Sequence, residues 1–333
     1  MTEHAEYGNS LSVSVVIPTR DRIEFVSRAI STVLSQKDVT VEVVVVDDGS
    51  VTPVPKSIDP RVRVLRNTTP EGVSRARNRG IAVASHRWIA FLDDDDFWAP
   101  TKLADQLEAI TKANARWCVS GAVLVDSDAE EIAITLPKDN PKQVAADLCE
   151  FNAVPGGGSG VLLSRDLIAE FGPFDEELSM VADWEFWHRI AHRYPCALVR
   201  QPLVAYTVHD LSMTQTFDGY DGEMKRMVKN SSTYCPVSLD ARRTVYDDWL
   251  ASHLAKTQPA RAARLKARSA VRNRSPRDLL TAARYLVIPH SFSGRRALGL
   301  PPKHDSVVAT PWLQEFRRQR NDETVDTIDS FPS

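Results

Sequence analysis

The chain has 333 residues, is 43% hydrophobic and carries a formal net charge of −3. That is enough apolar mass for a large core, which argues against a disordered chain, and too little charge to indicate nucleic acid as a partner. Cys118, Cys149, Cys196 and Cys235 lie far apart, with no CxxC or Cys/His cluster of metal-ligand spacing. They read as reduced thiols. The polar, acidic start and the lack of an apolar run long enough to cross a bilayer set the expected location as cytoplasmic.

Residues 1–10 read as a flexible N-terminus. From Leu11 the run LSVSVVIPT, β-branched and closed by Pro18, has the character of a strand buried on both faces. A helix follows, with Asp21 as its expected cap and Glu24 three residues on. Ile23, Val26, Ile30, Val33 and Leu34 fall on one helical face. Next come strand VEVVVVDD, a short strand RVRVL, a helix over about 70–84, and strand WIAFL ending at Asp93. This alternation predicts right-handed crossovers and a parallel sheet.

Beyond Asp96 the pattern predicts a helix opened by Pro100, a strand over 117–125, a glycine loop in PGGGSGVLLS, a helix over about 183–194, and a strand running into TVHDLSMT. From about Thr216 the reading is mainly helical. Between Lys256 and Lys303 twelve basic residues face one carboxylate, Asp278. The expected organisation is an α/β domain over 11–215, with a ligand-binding half at 11–98 and a second half at 99–215. A helical, basic extension over 216–313 and a polar tail over 314–333 follow.

In a parallel sheet, ligands collect outside the carboxyl ends of the strands. Three such ends are polar here: Pro18-Thr19-Arg20-Asp21, Asp47-Asp48-Gly49-Ser50 and Asp93-Asp94-Asp95-Asp96. Four consecutive aspartates after a buried strand repel one another, and oxygen-only ligands suit Mg²⁺ or Mn²⁺; a solvated acidic turn before the next helix is the alternative. Asp47 and Asp48 equally fit an ordinary strand-end turn.

Taken together, VSVVIPTRDR, EVVVVDDGS and GVSRARNRGIAVASHRWIAFLDDDDFWAPTKL resemble the family 2 glycosyltransferases of GT-A fold over about the first two-thirds of the chain. The resemblance implies a Rossmann-like, mostly parallel central sheet flanked by helices. It further implies an inverting transfer of a sugar from a nucleotide-diphosphate donor, UDP-linked by family habit, to an acceptor hydroxyl of a glycan, glycolipid or other molecule. A divalent cation, Mn²⁺ or Mg²⁺, would assist.

By the same resemblance Pro18, Thr19, Arg20 and Asp48 belong to the nucleotide pocket, and Arg77 and Asn78 lie near the donor. Asp93 and Asp95 form the DxD, the first toward ribose and metal and the second a metal ligand, with Asp94 able to substitute. Asp183 matches the segment that supplies the base, although Ala182 stands where many relatives carry Glu; its alternative is a helix N-cap. Glu185 is the second choice. Gly157 and Gly158 in the glycine loop, and Trp184 with Trp187 as a stacking platform, are the acceptor-side candidates, against a plain connection and core packing. His209 is a candidate contact to metal or diphosphate, against a structural histidine.

No GxGxxG, P-loop or GxSxG is present. The readings that compete with transfer are a non-catalytic nucleotide-sugar binding scaffold and a metal-dependent nucleotidyltransferase. The basic extension, with Leu279, Leu280, Ala283, Leu286 and Val287 beside its charges, is read either as a solvated surface or as a peripheral membrane contact.

Overall fold

A computed structural model describes residues 11–56, 59–209, 219–255, 258–287 and 310–328. Its centre is a nine-stranded sheet in the order β3-β2-β1-β4-β8-β6-β9-β5, with β7 paired to β6. The strands are β1 (Ser12–Thr19), β2 (Thr40–Asp47), β3 (Val62–Arg66), β4 (Trp88–Phe91), β5 (Phe97–Trp98), β6 (Trp117–Val125), β7 (Glu131–Thr135), β8 (Val161–Ser164) and β9 (Ala197–Thr207). The helices of the first half are α1 (Ile23–Leu34), α2 (Val73–Val83) and α3 (Lys102–Ala113). They are followed by α4 (Pro141–Leu148), α5 (Arg165–Phe171) and α6 (Ala182–Ala191).

Val13, Val15 and Ile17 of β1, with Val43 and Val45 of β2, bury one sheet face under α1 and α3; Val16, Val44 and Val46 bury the other. A strand covered on both faces has no solvent side, which is why these strands are continuous apolar runs rather than alternating ones. Gly80 lets α2 lie directly on β1: a methyl group there would sit 2.3 Å from Val16 Cγ1.

The sheet is mixed rather than mostly parallel. β3, β2, β1 and β4 are parallel, but β8 runs antiparallel to both β4 and β6, and β5 and β7 run against β9 and β6. Since β6 pairs parallel with β9, both run in the direction of β1. The reversed strands are only two to five residues long, too short to show a period in sequence. The carboxyl ends of β1, β2, β4 and β9 therefore open on one edge.

Two local expectations change. Asp21 does not cap α1: its backbone has φ 55° and its carboxylate accepts the Val51 N–H at 2.6 Å, tying the loop after β1 to the loop after β2. Ile23 on the expected apolar face is exposed, while Val26, Ala29 and Val33 are buried.

The later helices are α7 (Tyr220–Ser231), α8 (Leu239–Leu254), α9 (Pro259–Arg272), α10 (Pro276–Val287) and α11 (Pro311–Ile328). The basic stretch meets carboxylates from neighbouring elements that a count along the chain misses. Lys266 pairs with Asp248 and Asp278, and Arg272 and Arg268 reach Asp247 of α8. The expected polar tail lies largely within α11, whose first turns dock on the sheet. Phe316 stacks on Phe97 at 4.4 Å, Trp312 donates to the Pro202 carbonyl at 2.9 Å, and Arg317 pairs with Glu130. No helix among the described residues is long and apolar enough to cross a membrane.

Candidate active site

At the end of β4 the chain turns through Asp93-Asp94-Asp95-Asp96, closed by the Asp96 N–H donating to the Asp93 carbonyl at 3.0 Å. The carboxylates are met by side chains and backbone groups from several elements. Asp96 is fully buried and structural, accepting from Ser159 Oγ at 2.6 Å and from the Thr207 N–H at 3.0 Å. Ser159 Oγ also accepts the Asp93 N–H at 3.1 Å, so one hydroxyl locks the acidic turn to the 3₁₀ turn Gly157–Gly160.

Asp94 accepts from Thr19 Oγ1 at 2.7 Å and from Arg22 Nη1 at 3.1 Å. Burial, and then the neighbouring Asp95, push its carboxyl up to about 7 despite Arg22. Arg22 Nη1 also lies 3.0 Å from Asp95 Oδ2, and His209 Nε2 lies 2.9 Å from that same oxygen. The His209 ring stacks on Phe25 of α1 with centroids 5.1 Å apart. The rest of the TVHDLSMT loop, 210–214, lies outside the described residues.

Asp93 Oδ1 accepts from Arg77 Nη2 at 2.5 Å. Burial would lower the Arg77 pKa, but Asp93 and then Asp183 outweigh it and raise it. Arg77 thus lies in the field of two carboxylates from different halves of the domain, and its buried Nε has no hydrogen-bond partner among the described residues. Asp183, in the first turn of α6, is half-buried and accepts from Asn152 Nδ2 at 3.0 Å and from the Trp184 N–H at 2.7 Å. Burial raises its pKa, Arg77 opposes, and Asp93 adds to the rise.

The glycine loop passes between these groups. A methyl group at Gly157, where φ is +52°, would lie 2.8 Å from Asp183 Oδ2, and one at Gly158 would lie 3.1 Å from Arg77 Nη2. Both absent side chains keep the space between Arg77 and Asp183 open. Tyr206 of β9 faces the same cluster: burial, then Asp96, Asp95, Asp93 and Asp183, hold its phenol well above the ordinary range, so it stays neutral.

Other predicted residues are placed differently. Pro18 is buried in β1. Asp48 accepts from Asn67 Nδ2, the Glu71 N–H and the Gly72 N–H at 2.7–2.8 Å, which commits most of its acceptor capacity to holding the loop before α2. Asn78 is a clamp on the second half, exchanging hydrogen bonds with the Phe174 backbone at 3.0 Å in both directions. Arg20 is exposed and pairs with Asp21 at 3.6 Å.

The stacking platform is overturned. Trp184 is 1% exposed and donates to the Leu148 carbonyl at 2.7 Å, and Trp187 is fully buried against Phe91 and Phe174, so both are core residues. Glu185 is also buried, paired with Arg189 at 2.8 Å, and belongs to α6 packing.

Sequence reasoning passed over Arg22, Asn152 and Ser159. Arg22 stood within the quoted PTRDR segment; Asn152 and Ser159 carry no local signal, because their partners are 31 and 63 residues away.

Residues 14–168, under half of the chain, match the family model described as "Glycosyl transferase family 2". TarS 1–349 from S. aureus, solved with UDP-GlcNAc, is similar at a TM-score of 0.56 and 14% identity over 89% of this chain and 94% of that one, a likeness of fold. The architecture is the GT-A arrangement. Among curated proteins, the succinoglycan biosynthesis protein ExoO of Rhizobium meliloti (strain 1021) is 38% identical over 36% of this chain and 36% of its own length. The UDP-Glc:alpha-D-GlcNAc-diphosphoundecaprenol beta-1,3-glucosyltransferase WfgD of Escherichia coli is 32% identical over 35% of this chain and 47% of its own length. The chain thus spans less than half of either relative. The likeness to the family 2 glycosyltransferases in sequence is carried by residues 14–168.

The raised Asp94 pKa has a consequence for stability. In the fold this carboxyl binds a proton that the unfolded chain releases at its ordinary pKa of about 3.9, so stability is lost as pH rises from about 4 to about 7. The urea midpoint of the ligand-free protein is expected to fall between about pH 5 and about pH 8, and to fall less in Asp94→Asn.

Proposed function

We propose that the protein is an inverting glycosyltransferase that moves a sugar from a nucleotide-diphosphate donor to an acceptor hydroxyl. The observation that carries this reading is the convergence of Asp93, Arg77 and Asp183 around the opening left by Gly157 and Gly158, beside Asp95 and His209. An anionic leaving group, a cation to receive it and a carboxylate of raised pKa near the same opening are what a single displacement needs.

The Nε of Arg77, unpartnered among the described residues, fits a diphosphate oxygen, which the guanidinium would hold through a charge-assisted hydrogen bond. Thr19, with the loop that Asp48 braces, borders the nucleoside side. Asp183 takes the acceptor proton as the hydroxyl attacks, held in place by Asn152 and by its own helix start. Inversion follows from attack on the face opposite the leaving group.

The donor set also fits a divalent cation. Asp93 Oδ2 and Asp95 Oδ1 have no hydrogen-bond partner among the described residues, and carboxylate oxygens beside an imidazole suit Mn²⁺ or Mg²⁺. Asp93, Asp95 and His209 would hold it, with Arg22 giving up its bridge; when bound it supplies neutralisation of the departing diphosphate.

The WfgD name supports a UDP-linked donor, and both relatives' names support an acceptor within polysaccharide or glycolipid synthesis. Peripheral membrane contact through α9 and α10 belongs to the same proposal. Leu279, Leu280 and Leu286 are exposed beside the basic residues, although Lys266, Arg268 and Arg272 are already paired within the extension.

Asp183→Asn keeps shape and removes the base. Transfer is expected to fall about 10²–10⁴-fold while the nucleotide Kd stays within about threefold, and retained transfer would move the base elsewhere. The acid limb of the pH–rate profile of the wild-type protein should lie above the ordinary aspartate range. Leu280→Glu with Leu286→Glu is expected to reduce co-sedimentation with anionic vesicles; unchanged binding would remove the membrane contact from the proposal.

A further inference from the structure

Beside α6, three residues distant in sequence come together. Cys149 closes α4, His188 lies on α6, and Cys235 follows α7; their sulfur and ring-nitrogen atoms lie within 4.8 Å of one another. Cys149 Sγ is 3.4 Å from His188 Nε2. His188 and Cys235 are buried, and Cys149 is half-buried, which leaves an entry path.

We propose that Cys149, His188 and Cys235 form a binding site for a thiophilic divalent ion of the Zn²⁺ class, separate from the acidic turn. Two sulfurs and an imidazole are the ligand chemistry that selects zinc over the hard cations suited to Asp93 and Asp95. The geometry is close to what a tetrahedral ion needs: zinc–sulfur and zinc–nitrogen bonds of about 2.3 and 2.0–2.1 Å place an S···N edge at about 3.6 Å. Three protein ligands leave the fourth position to water on the half-exposed Cys149 side.

Two further observations point to the same occupant. Arg242 of α8 is fully buried, with Nε and Nη1 unpartnered among the described residues; its Nη2 donates to Cys235 Sγ at 3.0 Å and to Ser231 Oγ at 3.0 Å. A buried guanidinium facing only neutral acceptors is costly, and a metal-bound thiolate supplies the anionic sulfur it lacks. His188, whose pKa is pushed down to about 3 by burial and then by Arg242 and His192, presents a neutral imidazole. Ion binding releases the two thiol protons to solvent and leaves the imidazole as it is.

The site would act as a clip. It joins α4, α6 and the segment between α7 and α8. Asp183 lies five residues before His188 on the same helix, and Asn152, which holds Asp183, lies three residues after Cys149. The ion would therefore fix both ends of the Asn152–Asp183 contact without touching substrate.

The test is the zinc content of the full chain after incubation with Zn²⁺ and dialysis against Mg²⁺, with Cys149→Ser/Cys235→Ser as comparison. About one zinc per chain is expected in the wild type and almost none in the double variant. Co²⁺ in place of zinc should give thiolate-to-cobalt charge-transfer absorption that disappears in the double variant and weakens in His188→Ala. A wild-type protein that holds no zinc overturns the proposal, whether its thiols count as free or as a Cys149–Cys235 disulfide. The wild-type metal content and cobalt spectrum decide even if the variants fold poorly, and neither depends on sugar transfer.

Discussion

Four carboxylates stand in succession at the end of β4, and everything around them is arranged to make that tolerable. Like charges at such spacing repel by kilocalories once water is removed. The fold answers at each one: Arg77 on Asp93, Thr19 and Arg22 on Asp94, the same Arg22 with His209 on Asp95, Ser159 and the Thr207 backbone on Asp96. Asp94 still titrates high, first through burial and then through the neighbouring Asp95.

The compensating groups come from β1, α1, α2, the glycine turn and β9, so the sheet order itself is part of the site. β8 sits between β4 and β6 as a short reversed strand, and the turn that feeds it brings Ser159 to Asp96 and Asp93. Because β6 and β9 keep the direction of β1, the end of β9 delivers Thr207 and His209 to the same edge as Thr19 and Asp93. α6 then contributes Asp183 from the second half, while its buried face, carrying Trp184, Phe186 and Trp187, anchors it in the core.

The parallel half was legible because its strands are buried on both faces and its helices carry one apolar stripe. The polar clusters at the strand ends were visible for the same reason, as charge directly after an unbroken apolar run, although Asp48 and Asp96 turn out to brace loops. The mixed half was not legible, since β5 and β8 have two and four residues and show no period. Trp184 and Trp187 illustrate a further limit. Spacing on a helix says that two rings share a face, and only the packing of α4 and β4 against α6 says that the face is inward. The cluster of Cys149, His188 and Cys235 was invisible because its members are separated by 39 and 86 residues and meet only through tertiary structure.

The central claim is that the acidic edge is built to hold a cation together with a nucleotide diphosphate. It is tested most directly by thermal stability against UDP, GDP, dTDP and CMP donors, each with Mn²⁺ or with EDTA. A ligand that binds the folded state raises the melting temperature in proportion to its saturation. The account predicts a rise for one nucleotide family that requires the cation and is lost in Asp95→Ala. A rise that survives EDTA and Asp95→Ala, or none with any donor, would contradict it.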